Sequence, residues 1–377
     1  MILYNFRLSL QSIELRHMKT KHTIYFGQSQ NMSKIEDKSV DLIVTSPPYP
    51  MIEMWDDIMS SQNPAIKRAF ENNQPELAFE LMHKELDAVW KECYRVVKDG
   101  GFICINIGDA TRTIDGEFRL YNNHSRITQY CTSLGLTNLP NIIWRKQTNA
   151  PNKFMGSGML PCGAYITLEH EYILIFRKGS KRNYKNAEQK ADRRESSYFW
   201  EERNVWFSDL WDLKGTKQRI TNSSTRDRSA AYPFEVPYRL INMYSQRGDV
   251  VLDPFVGTGT TTQAAMLLGR DSIGYEIDEN MLQVIQSNIN SMSVEDMNKI
   301  IKARFDKHIE FVEERTKAKG GFKYTNEHLN CCVMTAQELD IKLNYVHSIN
   351  QHHSSPVLFE AIYTSFNPNN PMSGMLF

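Results

Sequence analysis

The chain is 377 residues long, and its 44 basic side chains are matched by 44 acidic ones. Zero net charge excludes a protein that coats nucleic acid through bulk positive charge, but leaves local basic patches open, and 41% hydrophobic content is that of a globular protein. No apolar run reaches the length of a membrane span, and Met1 to Phe26 carries scattered charge where a signal peptide needs an apolar core. The six cysteines lack metal-ligand spacing, and adjacent Cys331 and Cys332 are poorly placed to bridge each other, which fits a reducing cytoplasm. Repeats and low-complexity tracts are absent. The recognisable fold begins near Ile24, so Met18 is an alternative start to Met1.

In chain order, the first strong signal is the apolar run Val40 to Val44, a strand that ends in Thr45-Ser46-Pro47-Pro48-Tyr49. The two prolines fix φ and bring no N–H, so their carbonyls stay free to accept. Ser46 adds a hydroxyl and Tyr49 an aromatic face. Acceptors beside an aromatic plate suit a flipped-out nucleobase whose exocyclic amine must be oriented; the competing reading is a strand ending in a proline-stiffened turn. Met51 to Gln74 is polar and irregular, either a strand-clasping loop or a surface insertion, with Trp55 exposed to a ligand or packed in the core. Between Glu76 and Lys98, Leu81, Leu86, Val89, Trp90, Cys93 and Val97 recur at helical spacing, and Gly100-Gly101 stops the helix before a buried strand, Phe102 to Ile107. Asn141 to Lys146 and Glu171 to Phe176 predict two more strands. Cys162, between them, reads as an ordinary buried cysteine.

Arg177 to Arg194 then holds eight basic residues against two acids, and a second basic group lies in the Thr-, Asn- and Ser-rich stretch from Thr216 to Ser229. Tyr232-Pro233-Phe234-Glu235-Val236-Pro237 leads into a helix through Leu240 and Ile241. Asp249 to Thr262 reads as strand, glycine turn and helix start: Gly257 and Gly259 allow positive φ, and Thr260 is placed to cap the helix. No Gly-Lys-Ser/Thr follows, so this is not a P-loop, and Thr262 stands where the dinucleotide fingerprint has its third glycine. Beyond the helix, Ser272 to Asp278 puts Glu276 at a strand end, where an acid binds ribose hydroxyls in α/β nucleoside sites. Alternating strands and helices predict a largely parallel sheet covered on both faces. Ser293 is placed to cap a helix from Val294 to about Lys319, stopped by Gly320-Gly321. Mixed strand and loop pieces follow, with His352-His353 a loop feature rather than a metal site.

Ser46-Pro47-Pro48-Tyr49, followed some two hundred residues later by Asp253-Pro254-Phe255-Val256-Gly257-Thr258-Gly259, resembles the catalytic and cofactor motifs of the S-adenosylmethionine-dependent DNA amino-methyltransferases of restriction–modification systems. The motif order is that of their circularly permuted β group, and the resemblance covers roughly residues 20 to 293. Arg95 to Gly101, a helix end running into a strand, resembles the family's stretch after the catalytic motif. The resemblance implies an α/β, Rossmann-like methyltransferase fold with a mixed, mostly parallel sheet flanked by helices. Residues 20–179 would be the catalytic half, 180–230 the target-recognition region and 231–293 the cofactor half, with 294–377 an extension of unassigned role.

The same resemblance implies S-adenosylmethionine as cofactor and double-stranded DNA as partner, with no metal. It further implies a prokaryotic cytoplasmic setting, a cognate restriction endonuclease as functional partner, and a monomer or weak homodimer. Ser46, Pro47, Pro48 and Tyr49 are the implied catalytic residues. Asp253, Phe255, Gly257, Gly259, Thr260 and Glu276 would hold the cofactor, with Phe234 in the segment that closes over its methionine end. Lys181, Arg182, Lys185, Arg193, Arg194, Lys217, Arg219, Arg226 and Arg228 are candidate DNA contacts, basic residues for phosphates and base edges. In this family Ser-Pro-Pro-Tyr accompanies N4-cytosine methylation and Asp-Pro-Pro-Tyr N6-adenine methylation, so N4-cytosine is expected. N6-adenine methylation, methylation of RNA or of a protein amide, and a catalytically silent DNA-binding subunit are the alternatives. Nothing like Gly-x-Ser-x-Gly surrounds Ser46, which excludes a hydrolase nucleophile, and Cys162 lacks the context for thiolate chemistry at cytosine C5.

Overall fold

A ten-stranded mixed sheet organises the chain, in a computed structural model that describes residues 18–146, 155–215, 232–352 and 355–368. The first half contributes β1 (Lys19–Phe26), β2 (Val40–Thr45), helices α1 (Asp56–Gln62), α2 (Pro64–Glu71) and α3 (Pro75–Val96), and β3 (Val97–Ile107). A small hairpin, β4 (Ala110–Ile114) and β5 (Glu117–Tyr121), precedes α4 (Asn123–Ser133) and β6 (Leu136–Arg145). A two-residue pair, β7 (Met155–Gly156) and β8 (Ala164–Tyr165), leads to β9 (His170–Lys178), α5 (Ala187–Glu195), α6 (Trp200–Trp206) and β10 (Leu210–Asp212). The second half runs α7 (Glu235–Tyr244), β11 (Val250–Asp253), α8 (Thr260–Leu267), β12 (Asp271–Glu276), α9 (Met281–Ser291) and α10 (Val294–Lys319). A short pair, β13 (Tyr324–Asn326) and β14 (Cys331–Val333), is followed by β15 (Asn344–His352) and β16 (Val357–Ser365).

Across the main sheet the order is β10-β6-β9-β3-β2-β11-β12-β1-β16-β15. From β3 through β1 every neighbour is parallel. The antiparallel pairs are those that β9 makes with β3 and β6, and those of β1–β16 and β16–β15. β2 lies in the middle with all six residues buried, which explains its unbroken apolar character: a strand covered on both faces needs no polar alternation. Buried Asp41, the exception, is held by Lys98 at 2.7 Å. One face of the sheet carries α3 and α4, the other α7, α8, α9 and α10, each with its own apolar core. In α3, Leu86, Val89, Trp90 and Cys93 are buried as the helical spacing predicted and Ala78 and Met82 join them, while Leu81 is half-buried and Val97 opens β3.

The structure departs from the sequence reading in several places. Met51 to Gln74 is helical rather than irregular: Asn63 accepts from the Ala65 amide to start α2, with Pro64 at its first position, and buried Met59, Ile66 and Ala69 tie both helices to the core. Gly100-Gly101 does not stop a helix; α3 ends at Val96 and the glycines lie inside β3, where Gly100 has φ of 86° and meets the Arg182 backbone too closely for a Cβ. His352 is the last residue of β15, and His353 lies outside the described residues. Ser293 does cap α10, its hydroxyl accepting from the Asp296 amide at 3.0 Å. The C-terminal extension is not an appendage, because β16 pairs with β1 and continues the sheet.

Because β3, β2, β11, β12 and β1 run the same way, their carboxyl ends gather at one edge. Thr45, Asp253, Glu276 and Phe26 all finish there. Such an edge is where open α/β sheets hold ligands.

Candidate active site

The cleft at these strand ends is lined by Ser46-Pro47-Pro48-Tyr49, by Asp253 to Thr258, and by Glu276 to Asp278. Gly27 to Gln30, following β1, and Trp55, Gln62 and Glu85 complete it. Two motifs some two hundred residues apart in sequence are thus walls of one cavity. They are joined directly. The Thr45 hydroxyl donates to Asp253 Oδ1 at 2.6 Å, and Thr261 donates to Oδ2 at 2.6 Å. The Phe255 amide donates to Oδ1 at 3.1 Å, and buried Tyr232, itself bonded to Thr261, reaches Oδ2 at 3.4 Å. Burial raises the Asp253 pKa against these four donors. Its carboxylate therefore staples the end of β2 to the glycine turn.

The glycine turn is set mainly by backbone. Gly257 has φ of 52° and Gly259 of 87°, a left-handed region that favours glycine. Gly259 occupies the N-cap of α8 with no side-chain cap, so Thr260 does not cap the helix as expected; it is the first helical residue, with its hydroxyl 3.3 Å from that of Thr258. Glu276 braces the turn from β12, accepting from the Gly257 amide at 3.0 Å and from the Asp278 amide at 3.0 Å. Burial pushes the Glu276 carboxyl up to about 7, against these amide hydrogen bonds. Gly274, one strand position earlier on the same side, clears the way: a Cβ there would lie 2.3 Å from Val256 Cγ2.

The Ser46–Tyr49 turn is held differently, by side chains from distant strands. Ser46 Oγ lies 3.1 Å from the Tyr49 hydroxyl, which donates to Glu171 Oε2 at 2.9 Å. Asn106 Nδ2 lies 2.8 Å from the Tyr49 oxygen, 2.7 Å from Glu171 Oε2 and 3.4 Å from Ser46 Oγ. Lys146 pairs with the other oxygen of Glu171. Burial first, then the nearby Glu171 charge, holds the Tyr49 phenol well above its usual range, so it stays a neutral donor. Gly108 keeps this space open, since a Cβ would come 3.0 Å from Tyr49 Cε2 and 3.3 Å from Glu171 Cγ.

Asn106 and Glu171 were not singled out from sequence, although a buried amide inside an apolar strand and an acid opening another are signals of a polar network. Gly27 to Gln30 gave no motif at all. Phe234 does not line the cleft; it is half-buried 5.9 Å from the Tyr238 ring, and Tyr232 takes the inward position. Phe255 does line it, edge-on to Trp90 at 6.1 Å. Cys162 is exposed, not buried: it sits with φ of 67° in the turn between β7 and β8.

Lys181, Arg182, Lys185, Arg193 and Arg194 are not brought to this cleft. Arg182 pairs with Asp249 at 2.7 Å and lies 3.4 Å from Asp41, which places it at the amino ends of β11 and β2. Five residues of strand at about 3.3 Å each separate Asp41 from Ser46, roughly 16 Å. Arg194 pairs with Asp340 at 2.9 Å. The segment lies away from the cleft because β9, antiparallel to its neighbour β3, delivers the chain to the far end of the sheet. Lys217, Arg219, Arg226 and Arg228 lie outside the described residues.

As for what the cleft accommodates, apolar Ile277 and Met281 beside Glu276 suit a flat ring and a diol, and the glycine turn leaves open space at Gly257, where a Cβ would meet only the Phe255 carbonyl at 3.8 Å. Residues 40–287 match the N6/N4 methyltransferase family model, described as DNA methylase. The chain belongs to this family of DNA methyltransferases. It is 52% identical over 353 residues to the Type II methyltransferase M.MthZI of Methanothermobacter thermautotrophicus, covering 93% of this chain and 97% of that one. It is 50% identical over 281 residues to the Type II methyltransferase M.MjaI of Methanocaldococcus jannaschii, covering 72% and 91%. Among solved structures, TTHA0409 of Thermus thermophilus, determined in complex with S-adenosyl-L-methionine, aligns with a TM-score of 0.54 and 30% identity over 71% of this chain and 93% of that one.

Proposed function

We propose that this chain transfers a methyl group from S-adenosylmethionine to the exocyclic N4 of cytosine in duplex DNA, as the modification enzyme of a restriction–modification system. The observation that carries the reading is Ser46-Pro47-Pro48-Tyr49 facing the glycine turn across one cleft, with Thr45 bonded to Asp253 between them. The Type II relatives support the biological setting, and the neighbour solved with S-adenosylmethionine supports the cofactor.

On this reading Glu276 receives the ribose hydroxyls, Ile277 and Met281 pack on the adenine, and Phe255, Gly257, Gly259 and Thr260 border the amino-acid end. Asp253 acts by holding the turn, since its oxygens are already occupied by protein donors. Bound there, S-adenosylmethionine supplies an electrophilic methyl group. Ser46 and the Pro47 carbonyl accept from the exocyclic amine, draw its nitrogen toward a tetrahedral geometry and receive developing positive charge. Tyr49 gives its ring to the base and its hydroxyl to Glu171, while Pro48 stiffens the turn. Direct displacement needs no covalent enzyme intermediate, so positioning supplies much of the rate. β10 lies just before residues 216–231 in sequence, and its Asp212 is bound to Arg145 at 2.5 Å, at the end of the sheet that carries Lys146. Lys217, Arg219, Arg226 and Arg228 are proposed as DNA contacts.

The test is mass spectrometry of nucleosides from DNA of a methylation-free bacterial host expressing the chain. N4-methylcytosine is expected. N6-methyladenine would overturn the base assignment drawn from Ser46 and keep the enzyme class.

A further inference from the structure

A second, larger groove opens at the other end of the sheet, between the segment from Ser180 to Phe207, the turn after α7, and Thr335 to Glu338 of the C-terminal extension. Eight basic side chains line it against three carboxylates. Those carboxylates are committed. Asp41 is bound by Lys98, Asp99 by Lys38 at 2.8 Å, and Glu338 accepts from the Trp200 amide and from Thr335. By contrast Lys181, Lys185, Lys190, Arg193 and Arg203 are exposed and make no ion pair among the described residues. Arg193 is held over the Tyr184 ring at 4.6 Å, which fixes one guanidinium at the groove wall.

We propose that this groove binds the phosphodiester backbone of a second segment of duplex DNA, separate from the segment whose base enters the active-site cleft. The proposal rests on the reading that the enzyme works on duplex DNA, and extends it to a face that the methylation chemistry does not use. Charge complementarity selects the occupant: the lining cations outnumber the lining carboxylates, all three of which are committed, and this excess outweighs Glu188 and Asp192 on α5 outside the lining, which suits repeating phosphates. Geometry separates the two segments. The cleft and the groove lie at opposite ends of the same strands, roughly 16 Å apart along β2, with the body of the sheet between them. Part of the groove wall comes from residues 335–338, beyond the 40–287 span of the family match. A bridging contact of this kind would hold the enzyme on its polymer while the target face releases and searches.

The decisive comparison is between two charge-reversed proteins of equal net charge. One carries K181E, K185E and K190E in the groove; the other carries K299E, K302E and K317E on exposed positions of α10. Binding of a labelled 12-bp duplex is followed by anisotropy across a salt series, and by sedimentation velocity at saturation; thermal melting checks that both variants fold. Each lost phosphate contact should reduce the slope of log affinity against log salt by about 0.9. We expect two duplexes per protomer for wild type and for the α10 variant, and one for the groove variant with a slope lowered by about 2 to 3. A single duplex on wild type, or equal slopes for the two variants, overturns the proposal, as does preferential capture of an acidic peptide over duplex. Methylation of host DNA by wild type is scored separately, so failure of the functional reading shows there and not in the slopes.

Discussion

The two turns that face each other across the cleft are built on opposite principles. The glycine turn from Asp253 to Thr260 is mostly local: positive φ at Gly257 and Gly259, a bare N-cap, and one carboxylate, Glu276, from the neighbouring strand. The Ser46–Tyr49 turn is rigid in its prolines, but its reactive groups are oriented by Asn106 on β3, Glu171 on β9 and Lys146 beyond β6. The first is a shape that a cofactor enters. On the proposed reading the second is a hydrogen-bond network that aims a nucleophile, and its bonds run to β3 and β9 rather than to the glycine turn. Asp253 links the two turns through Thr45.

Removing the aromatic at the centre of the second turn should separate the two most sharply. Tyr49→Ala should lower single-turnover methylation on the order of 10²–10³-fold, while calorimetry finds cofactor affinity within a few-fold of wild type; retained activity would refute the catalytic role. Breaking the shared staple should erase the distinction. Asp253→Ala strands the buried hydroxyls of Thr45 and Thr261, and is expected to cost about 2–3 kcal/mol in denaturant unfolding. It should also weaken cofactor binding and rate together. If only one of them falls, the turns are less coupled than Thr45–Asp253 implies.

Glu171→Gln keeps the side chain's size and an acceptor for Tyr49 but removes the charge that Tyr49 and Lys146 contact. Methylation should fall about 10–100-fold, the equivalent of roughly 1.5–3 kcal/mol for a hydrogen bond to a charged group, with no change in cofactor affinity. A matching loss of affinity would show that the network reaches into the glycine turn. The smallest effect is expected at Glu276. Its carboxyl titrates near 7 in the free protein, and ribose hydroxyls donate only to the ionised form without competition. Binding therefore lowers its pKa, and affinity should rise about tenfold from pH 6 to pH 8. Glu276→Gln should bind more weakly at pH 8 and flatten that profile; an unchanged slope would assign the titration elsewhere.

What was legible in the chain follows this division. Gly257 and Gly259 announce themselves because an unusual φ demands a particular residue at a particular place. Ser46-Pro47-Pro48-Tyr49 does so because two prolines after a buried strand allow few conformations. Asn106 and Glu171 stayed hidden, as each is a single polar residue in an apolar strand whose partner lies on another element. The basic run from Arg177 to Arg194 was legible as charge but not as location. Which end of the sheet it reaches depends on the direction of β9, and charge in sequence carries no direction.

The sequence by itself determined the central strands, helices α3, α7, α8 and α10, the two motifs, their order, and through them the family. These are fixed by backbone sterics and apolar periodicity, which act within a few residues. Tertiary structure alone decided that the motifs share a wall, that Tyr49 is aimed by Glu171, and that Phe234 yields its place to Tyr232. It also decided that the basic segment opens away from the active-site cleft. Those outcomes depend on strand order and direction in the sheet, where pairing joins residues far apart in sequence and gives each end of a strand different neighbours.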